Sequence, residues 1–533
     1  MCGYKGGQGK TSRPEVRPVA VLDFGGQYAH LIARRVRELG FYSEILPHDV
    51  DLSSLKALSP QAVILSGGPR SVYEEDAPDL KPGVLEWIVE RKVPALCICY
   101  GHQLVGDRLG GRVERGAKGE YGTATLTILR HDPLFEGTPR VQKVWMSHMD
   151  QLVEPPPGAV VLARTEITSI AAFRLSELPL YGVQFHPEVR HTEHGLAILK
   201  NFLEKAAGAT PNWRPESLAE RKVAEVKAVY RGGNVLVAAS GGVDSTVAAY
   251  LTMLAIGSDK LHLVVIDTGL LREGEADEVV RTLRGLGFKH VHLVKASREF
   301  LEALKGVTDP EEKRRRVAAK YFEVLERAAR ELEAKYGKFK YLVQGTIYPD
   351  RIESGRAGRG SDRIKSHHNV TLPEKLGLEL IEPLADLYKD EVRRLARALG
   401  LPPEVVTRHP FPGPGLAVRI VGEVTEEGLK ILRRATKIVE DEVRRAGLYE
   451  RLWQAFPALL PVKTTGVKGD ARSYEYAVAL RFVVSEDAMT AEFAKVPWEL
   501  LERIATRITN EVKGVNRVLY DITNKPPATI EYE

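Results

Sequence analysis

A six-residue run, SGGVDS, from Ser240 to Ser245, constrains this chain more than any other segment. An apolar run, Asn234 to Ala239, precedes it and reads as a buried strand. Thr246 to Ile256 follows it and reads as a helix. Strand, glycine loop and helix predict a parallel α/β sheet with an anion site at a strand's carboxyl end. Gly241 and Gly242 let backbone N–H groups turn inward with no Cβ in the way, and Val243 completes the loop. Ser240 and Ser245 add hydroxyl donors, and the helix N-terminus adds partial positive charge. Asp244 would repel phosphates unless a Mg²⁺ ion lay between them. The loop has no lysine, which excludes a Walker A motif.

At 533 residues the chain has room for roughly three to four domains. Hydrophobic residues make up 44% and charged residues 28%, as in a soluble globular protein. No apolar run approaches the ~20 residues of a membrane span, and no signal peptide opens the chain. A net charge of +5 gives no reason to expect a nucleic-acid partner. Cys2, Cys97 and Cys99 cannot form a disulfide framework, which predicts a reducing cytoplasm. Residues 1–17 read as a disordered tail. Their GQGKT and Met-Cys-Gly runs are decoys, since neither has the strand or domain its motif needs.

Two doubly wound α/β domains followed by a smaller α+β C-terminal domain are expected. The first spans 18–207, with strands at Val19, Ala62, Val93 and Leu180 alternating with helices. Residues 208–215 form a Pro- and Gly-containing linker. The second domain spans 216–410 and ends at RHPFPGPG, whose prolines and glycines stop regular structure. Residues 411–533 form the third domain, with strands at Tyr476–Val484 and Val515–Thr523.

Cys99 lies between a predicted buried strand and a helix. A thiol on such a turn is exposed near a helix N-terminus, which favours thiolate. His186 and Glu188 are two apart in FHPE, on one side of an extended segment. They suit a base and the carboxylate that orients it. Gly68, in Ser66-Gly67-Gly68-Pro69, and the Tyr100 N–H suit an oxyanion hole.

SGGP, CYGHQL and FHPE in this order resemble the class I glutamine amidotransferases. In that family the cysteine attacks the glutamine amide and ammonia leaves. The resemblance implies that Gln103, Ser147, His148 and Asp150 help hold glutamine. Cys97 stands where the family elbow usually has glycine, and Met149 where its Ser-His-Gly-Asp segment has glycine. SGGVDS resembles the pyrophosphate loop of ATP pyrophosphatases. Long runs, among them RHPFPGPGLAVRI and KPPATIEYE, make Val19 to Glu533 resemble the glutamine-hydrolysing GMP synthetases.

That resemblance implies that ATP adenylates XMP at its C2 oxygen, pyrophosphate leaves, and ammonia then displaces AMP to give GMP. Lys365 and Lys389 suit the departing pyrophosphate, with Mg²⁺ at Asp244 and Asp350. Arg314, Gln454, Arg517, Lys525 and Glu531 match positions that contact XMP in the family. The segment Asn369–Pro373 is one residue shorter than the family's NVGGLP. A homodimer joined after about Pro412 is implied, with Tyr476–Val484 expected at an otherwise unpaired sheet edge. Two rivals stand beside this reading. NAD synthetase shares the pyrophosphate loop but uses a Glu-Lys-Cys glutaminase. A nucleotide-binding regulator with a dead glutaminase would draw its support from Cys97 and Met149.

Overall fold

The structure is a computed structural model and describes residues 16–351, 377–468, 470–485 and 490–533. The chain divides into two compact units between Arg214 and Pro215.

The first unit holds a nine-stranded sheet: β1 (Val19–Asp23), β2 (Ser43–Pro47), β3 (Ala62–Leu65), β4 (Ala95–Ile98), β5 (Arg112–Ile128), β6 (Val141–Glu154), β7 (Ala159–Arg164), β8 (Ala172–Leu175) and β9 (Leu180–Val183). Their order is β2-β1-β3-β4-β9-β8-β7-β5-β6. The first five run parallel. VAVLD, AVIL, ALCI and LYGV are buried at every position, as strands covered on both faces must be. This is the α/β alternation expected from sequence. From β9 onward the sheet continues antiparallel, which the sequence reading did not contain. β5 is rich in glycine and charge. β6 buries Gln142, Val144, Met146, His148, Asp150 and Leu152 on one face. Its period of two is clear, but half of the buried set is polar, so no apolar run marks it.

In the second unit β10 (Asn234–Ala238), β11 (Leu261–Asp267), β12 (His290–Lys295), β13 (Phe339–Val343) and β14 (Glu379–Ile381) form a parallel sheet, ordered β12-β11-β10-β13-β14. The order reverses between β10 and β13, so SGGVDS leaves β10 at a topological switch point. The helix Pro310–Tyr336 begins with Asp309 accepting the Glu312 N–H, an N-cap.

A third sheet is built from β15 (Gln454–Lys468), β16 (Ala471–Val484), β17 (Glu492–Phe493) and β18 (Val515–Tyr520). The expectation that Tyr476–Val484 lies at an edge is corrected. β16 pairs antiparallel with β15 and β17 and parallel with β18, so it is central. β15 hid from the sequence reading because Pro457 and Pro461 interrupt it, and its register shifts between Leu459 and Lys463. One core joins the second and third sheets, with Leu236, Phe300 and Leu342 in the same cluster as Leu432, Ile438, Val478 and Phe482. Among the described residues no helix is long and apolar enough to cross a membrane.

Candidate active sites

Cys99 follows β4 and caps the helix Tyr100–Arg108 at φ 54° and ψ −105°. A left-handed φ costs a non-glycine residue about 1 kcal/mol, and the abrupt strand-to-helix turn imposes it. The Cys99 N–H donates to Val183 O at 2.9 Å, tying the turn to β9. Gly101 lets the helix lie against β3, since a Cβ there would come 2.7 Å from Leu65 Cβ. The Cys99 thiol reaches Ser147 O at 3.8 Å, and Gln184 Nε2 donates to its sulfur at 3.7 Å.

His186 lies in the segment that follows β9. Its N–H donates to Trp145 O at 2.9 Å, and Thr192 Oγ1 donates to its carbonyl at 2.6 Å. The Tyr28 ring meets the imidazole edge-on at 5.0 Å. Nδ1 pairs with Glu188 Oε1 at 2.7 Å. Burial works against a charged His186, but Glu188 and then Cys99 outweigh it and hold its pKa up, to about 10. The structure thus brings Cys99, His186 and Glu188 into one buried group. Cys97 and His102 lie beneath it in the core. Burial alone pushes the Cys97 thiol far up, and burial pushes His102 down to about 3.

The Ser66–Pro69 turn faces this group. A Cβ on Gly67 would sit 3.1 Å from His186 Cε1 and 3.6 Å from Cys99 Cβ. One on Gly68 would meet Phe24 O and Tyr100 Cγ, each at 3.0 Å. The Tyr100 N–H belongs to the first helical turn and has no intrahelical acceptor.

The expected glutamine holders are arranged around β6. Ser71 Oγ donates to Asp150 Oδ2, and Tyr73 OH donates to Oδ1 at 2.9 Å. Gln103 is buried, and its Nε2 donates to Asp150 O at 2.6 Å and Gln184 Oε1 at 3.1 Å. His148 Nδ1 meets Asp150 O at 2.9 Å, while its Nε2 lies 3.5 Å from Glu120 Oε2. Thr165 and Thr168 hydroxyls donate to that same Glu120 oxygen. Gln103 and His148 therefore fix the Asp150 backbone. The sequence reading missed Gln184, Ser71, Tyr73 and Glu120. Gln184, two residues before His186 on the same side of the segment, was the one that spacing could have exposed.

In the second unit Gly241 takes φ +75°, and a Cβ there would lie 2.2 Å from Val279 Cγ2. Ser240 Oγ and Ser245 Oγ are 3.0 Å apart. Asp244 stands in the first turn of the helix Val243–Ile256, and its Oδ2 pairs with Lys389 Nζ at 2.5 Å. Its Oδ1 is buried and has no hydrogen-bond partner among the described residues. Gly345, after β13, packs against this turn, since its Cβ would lie 2.8 Å from Ser245 N. Asp350 Oδ2 accepts the Ile347 N–H at 3.1 Å. Arg408, which the sequence reading did not single out, donates to Gly241 O at 3.0 Å and pairs with Glu275. Lys365 and Asn369–Pro373 lie outside the described residues.

Glu531 takes a two-pronged contact from Arg419, at 2.9 and 2.8 Å, and Gln454 Nε2 donates to it at 3.0 Å. Arg314 Nη2 donates to Glu533 O at 2.5 Å. Its neighbour Lys313 is fully buried and pairs with the Glu533 carboxylate. Arg517 on β18 donates to Thr464 Oγ1 at 3.3 Å. Lys525 is held by its backbone, N–H to Ala491 O at 2.7 Å and carbonyl from Ala491 N–H at 3.0 Å. Arg314, Gln454 and Glu531 all meet the final segment of the chain. Lys525 lies before that segment, and Arg517 lies earlier still, on β18.

An elbow thiol with a buried His–Glu pair, joined to a glycine-loop sheet, defines a glutamine-dependent amidotransferase with a nucleotide-binding partner domain. The class-I glutamine amidotransferase family matches residues 20–206, and the GMP synthase C-terminal domain matches residues 441–532. The glutamine-hydrolysing GMP synthase of Aquifex aeolicus is 51% identical over 520 residues, covering 97% of this chain and 99% of its own. That of Pyrobaculum aerophilum is 52% identical over 514 residues, covering 96% and 99%. A crystal structure from Thermoplasma acidophilum, ascribed to one subunit of a GMP synthase, is 30% identical, with a TM-score of 0.34, covering 36% of this chain and 95% of that one. The chain belongs to the glutamine-hydrolysing GMP synthase family.

Proposed function

We propose that this chain makes GMP from XMP, ATP and glutamine by two linked reactions. In the first, Cys99 Sγ attacks the glutamine amide carbon, and the proton held on His186 passes to the departing ammonia. Glu188 keeps the imidazole oriented and charged, as the 2.7 Å contact supports. The Gly68 and Tyr100 N–H groups receive the oxyanion. Water attack on the thioester, with His186 as base, releases glutamate. Gln103, Ser147, His148 and Asp150 shape the glutamine pocket, Gln103 and His148 acting through the Asp150 backbone.

In the second reaction the XMP C2 oxygen attacks the ATP α-phosphorus and pyrophosphate leaves. Ammonia then adds at C2 and AMP departs. The Ser240–Ser245 loop, with Val243 in its turn, holds the phosphates, and Lys365 and Lys389 neutralise them. Asp244 Oδ1, with no partner among the described residues, fits a cation. Asp244 with Asp350 would hold Mg²⁺, which supplies charge neutralisation at the departing pyrophosphate. Arg314, Gln454, Arg517, Lys525 and Glu531 take XMP, Arg517 and Lys525 at its phosphate and Glu531 at a purine N–H.

The domains are 18–207, 216–410 and 411–533, and the division at Arg214 supports the first boundary. A homodimer forms through the C-terminal domain. Val462, Val467 and Tyr474, each more than half exposed on β15 and β16, support that surface. The two free described cysteines suit a cytoplasmic protein.

One observation carries this reading, the Cys99–His186–Glu188 group in a chain that also holds a glycine loop at a switch point. Incubation with XMP, ATP and Mg²⁺ should yield GMP, AMP and pyrophosphate in equal amounts, with either glutamine or ammonium as nitrogen source. Glutamate release from glutamine, with no GMP from either nitrogen source, would overturn it.

A further inference from the structure

Arg481, near the end of β16, is fully buried, and the nucleotide reactions described above make no use of it. Its guanidinium gathers one loop. Nη1 donates to Thr523 O at 2.5 Å, Nη2 to Thr529 O at 2.9 Å and Nε to Ile530 O at 3.4 Å. Nη1 also lies 3.4 Å from Asp521 Oδ2. These acceptors stand at the two ends of the stretch from Asp521 to Ile530, and Lys525 stands between them. The stretch has no regular secondary structure, and Ile522, Thr523, Asn524 and Thr529 are exposed. A loop so exposed has few apolar contacts to fix its shape.

We propose that Arg481 is a positioning residue for XMP, setting the shape of the Asp521–Ile530 loop so that Lys525 and Glu531 face the substrate together. The inference rests on the assignment of Lys525 and Glu531 to XMP. The physical reason is the donor geometry of arginine. A planar guanidinium offers five N–H groups in a fixed fork, so one side chain can span carbonyls from Thr523 to Ile530. A lysine ammonium is a compact point charge and cannot bridge both ends at once. A buried guanidinium must also be satisfied, so the loop carbonyls and the cation fix each other.

Two further restraints act on the same stretch without replacing Arg481. Ala491 exchanges backbone hydrogen bonds with Lys525, and the Phe493 N–H donates to Asn524 Oδ1 at 3.0 Å. Both hold the near side of the loop to the strand Glu492–Phe493. Arg419 holds Glu531 beyond it and lies 3.9 Å above the Phe456 ring. Arg481 joins the loop's start to its end. Asp521 supports that join from the other side, as the Thr523 N–H donates to its Oδ1 at 2.9 Å and Tyr532 OH to its Oδ2 at 3.2 Å.

The test is steady-state GMP formation by the full chain with ammonium as nitrogen source, so that the thiol site plays no part. Arg481→Lys should raise the KM for XMP about tenfold and leave the KM for ATP within about twofold, with kcat little changed. Asp521→Asn keeps an acceptor for the Thr523 N–H, so it folds more readily. It should raise the XMP KM about threefold with the same split. Lys525→Ala provides the reference and should raise the XMP KM on its own. If Lys525→Ala raises it and both other variants leave it unchanged, the positioning role is wrong while the substrate assignment stands. If Lys525→Ala also leaves it unchanged, the substrate assignment falls and takes this inference with it. Equal losses for XMP and ATP in Arg481→Lys and Asp521→Asn would mark general loosening and overturn the proposal.

Discussion

The thiol site and the nucleotide site occupy matching places, the carboxyl ends of parallel strands in two α/β sheets, yet their charged groups are arranged differently. At the thiol site the groups proposed to react are already paired with one another, His186 with Glu188 at 2.7 Å and beside Cys99. At the nucleotide site the groups proposed to meet ligand are held in pairs that ligand would have to open or share. Lys389 and Asp244 lie on each other, Glu531 on Arg419 and Arg314 on the Glu533 carbonyl. The first arrangement is preorganised and depends on single atoms. The second must trade internal pairs for ligand, so its affinity is a difference between two sets of charge contacts.

That contrast can be broken most sharply at Cys99. Cys99→Ala should lower glutamine-driven GMP formation by at least ~10³-fold and leave the ammonium-driven rate intact. Cys97→Ala serves as the control and should change neither rate. Loss of both rates in folded Cys99→Ala would show that the two sites are not separable in this way. Asp244→Asn comes next. It should cost ~10²-fold in GMP formation from either nitrogen source, the scale of one key electrostatic group. Basal glutamate release should persist, and unchanged GMP formation would remove Asp244 from the nucleotide site.

The smallest effect sharpens the comparison on the thiol side. The Glu188 carboxylate helps to raise the His186 pKa. Glu188→Gln removes that charge, so the imidazolium should lose its proton at lower pH. The alkaline limb of the glutaminase pH profile should move down, with a rate loss of about tenfold at neutral pH. An alkaline limb that stays in place would mean that His186 does not govern it.

How much of this was legible in the sequence differs between the sites for a physical reason. β1, β3, β4 and β9 are buried throughout and, Asp23 aside, carry no charge because both faces are covered, so their ends, and with them Cys99 and His186, could be read directly. SGGVDS was equally plain, since a glycine at φ +75° against Val279 tolerates no side chain. β5, β6 and β15 were not legible, because β5 is rich in glycine and charge, the buried face of β6 holds Gln142, His148 and Asp150, and proline interrupts β15. Glu120 and Arg481 went unseen for a related cause. Each is a charged residue whose burial depends on partners distant in the chain, such as Thr168 for Glu120 and Thr529 for Arg481. Lys313 is the same case, a buried cation inside a run, EEKRRR, that reads as a solvated face.

The left-handed backbone at Cys99 has a consequence for anyone who would improve this protein. Glycine adopts that conformation without penalty, and cysteine does not. Selection for thermal stability alone would therefore be drawn toward glycine at position 99. On the role proposed for Cys99, such a chain would ease the turn and still bind its nucleotides, yet lose the power to draw nitrogen from an amide.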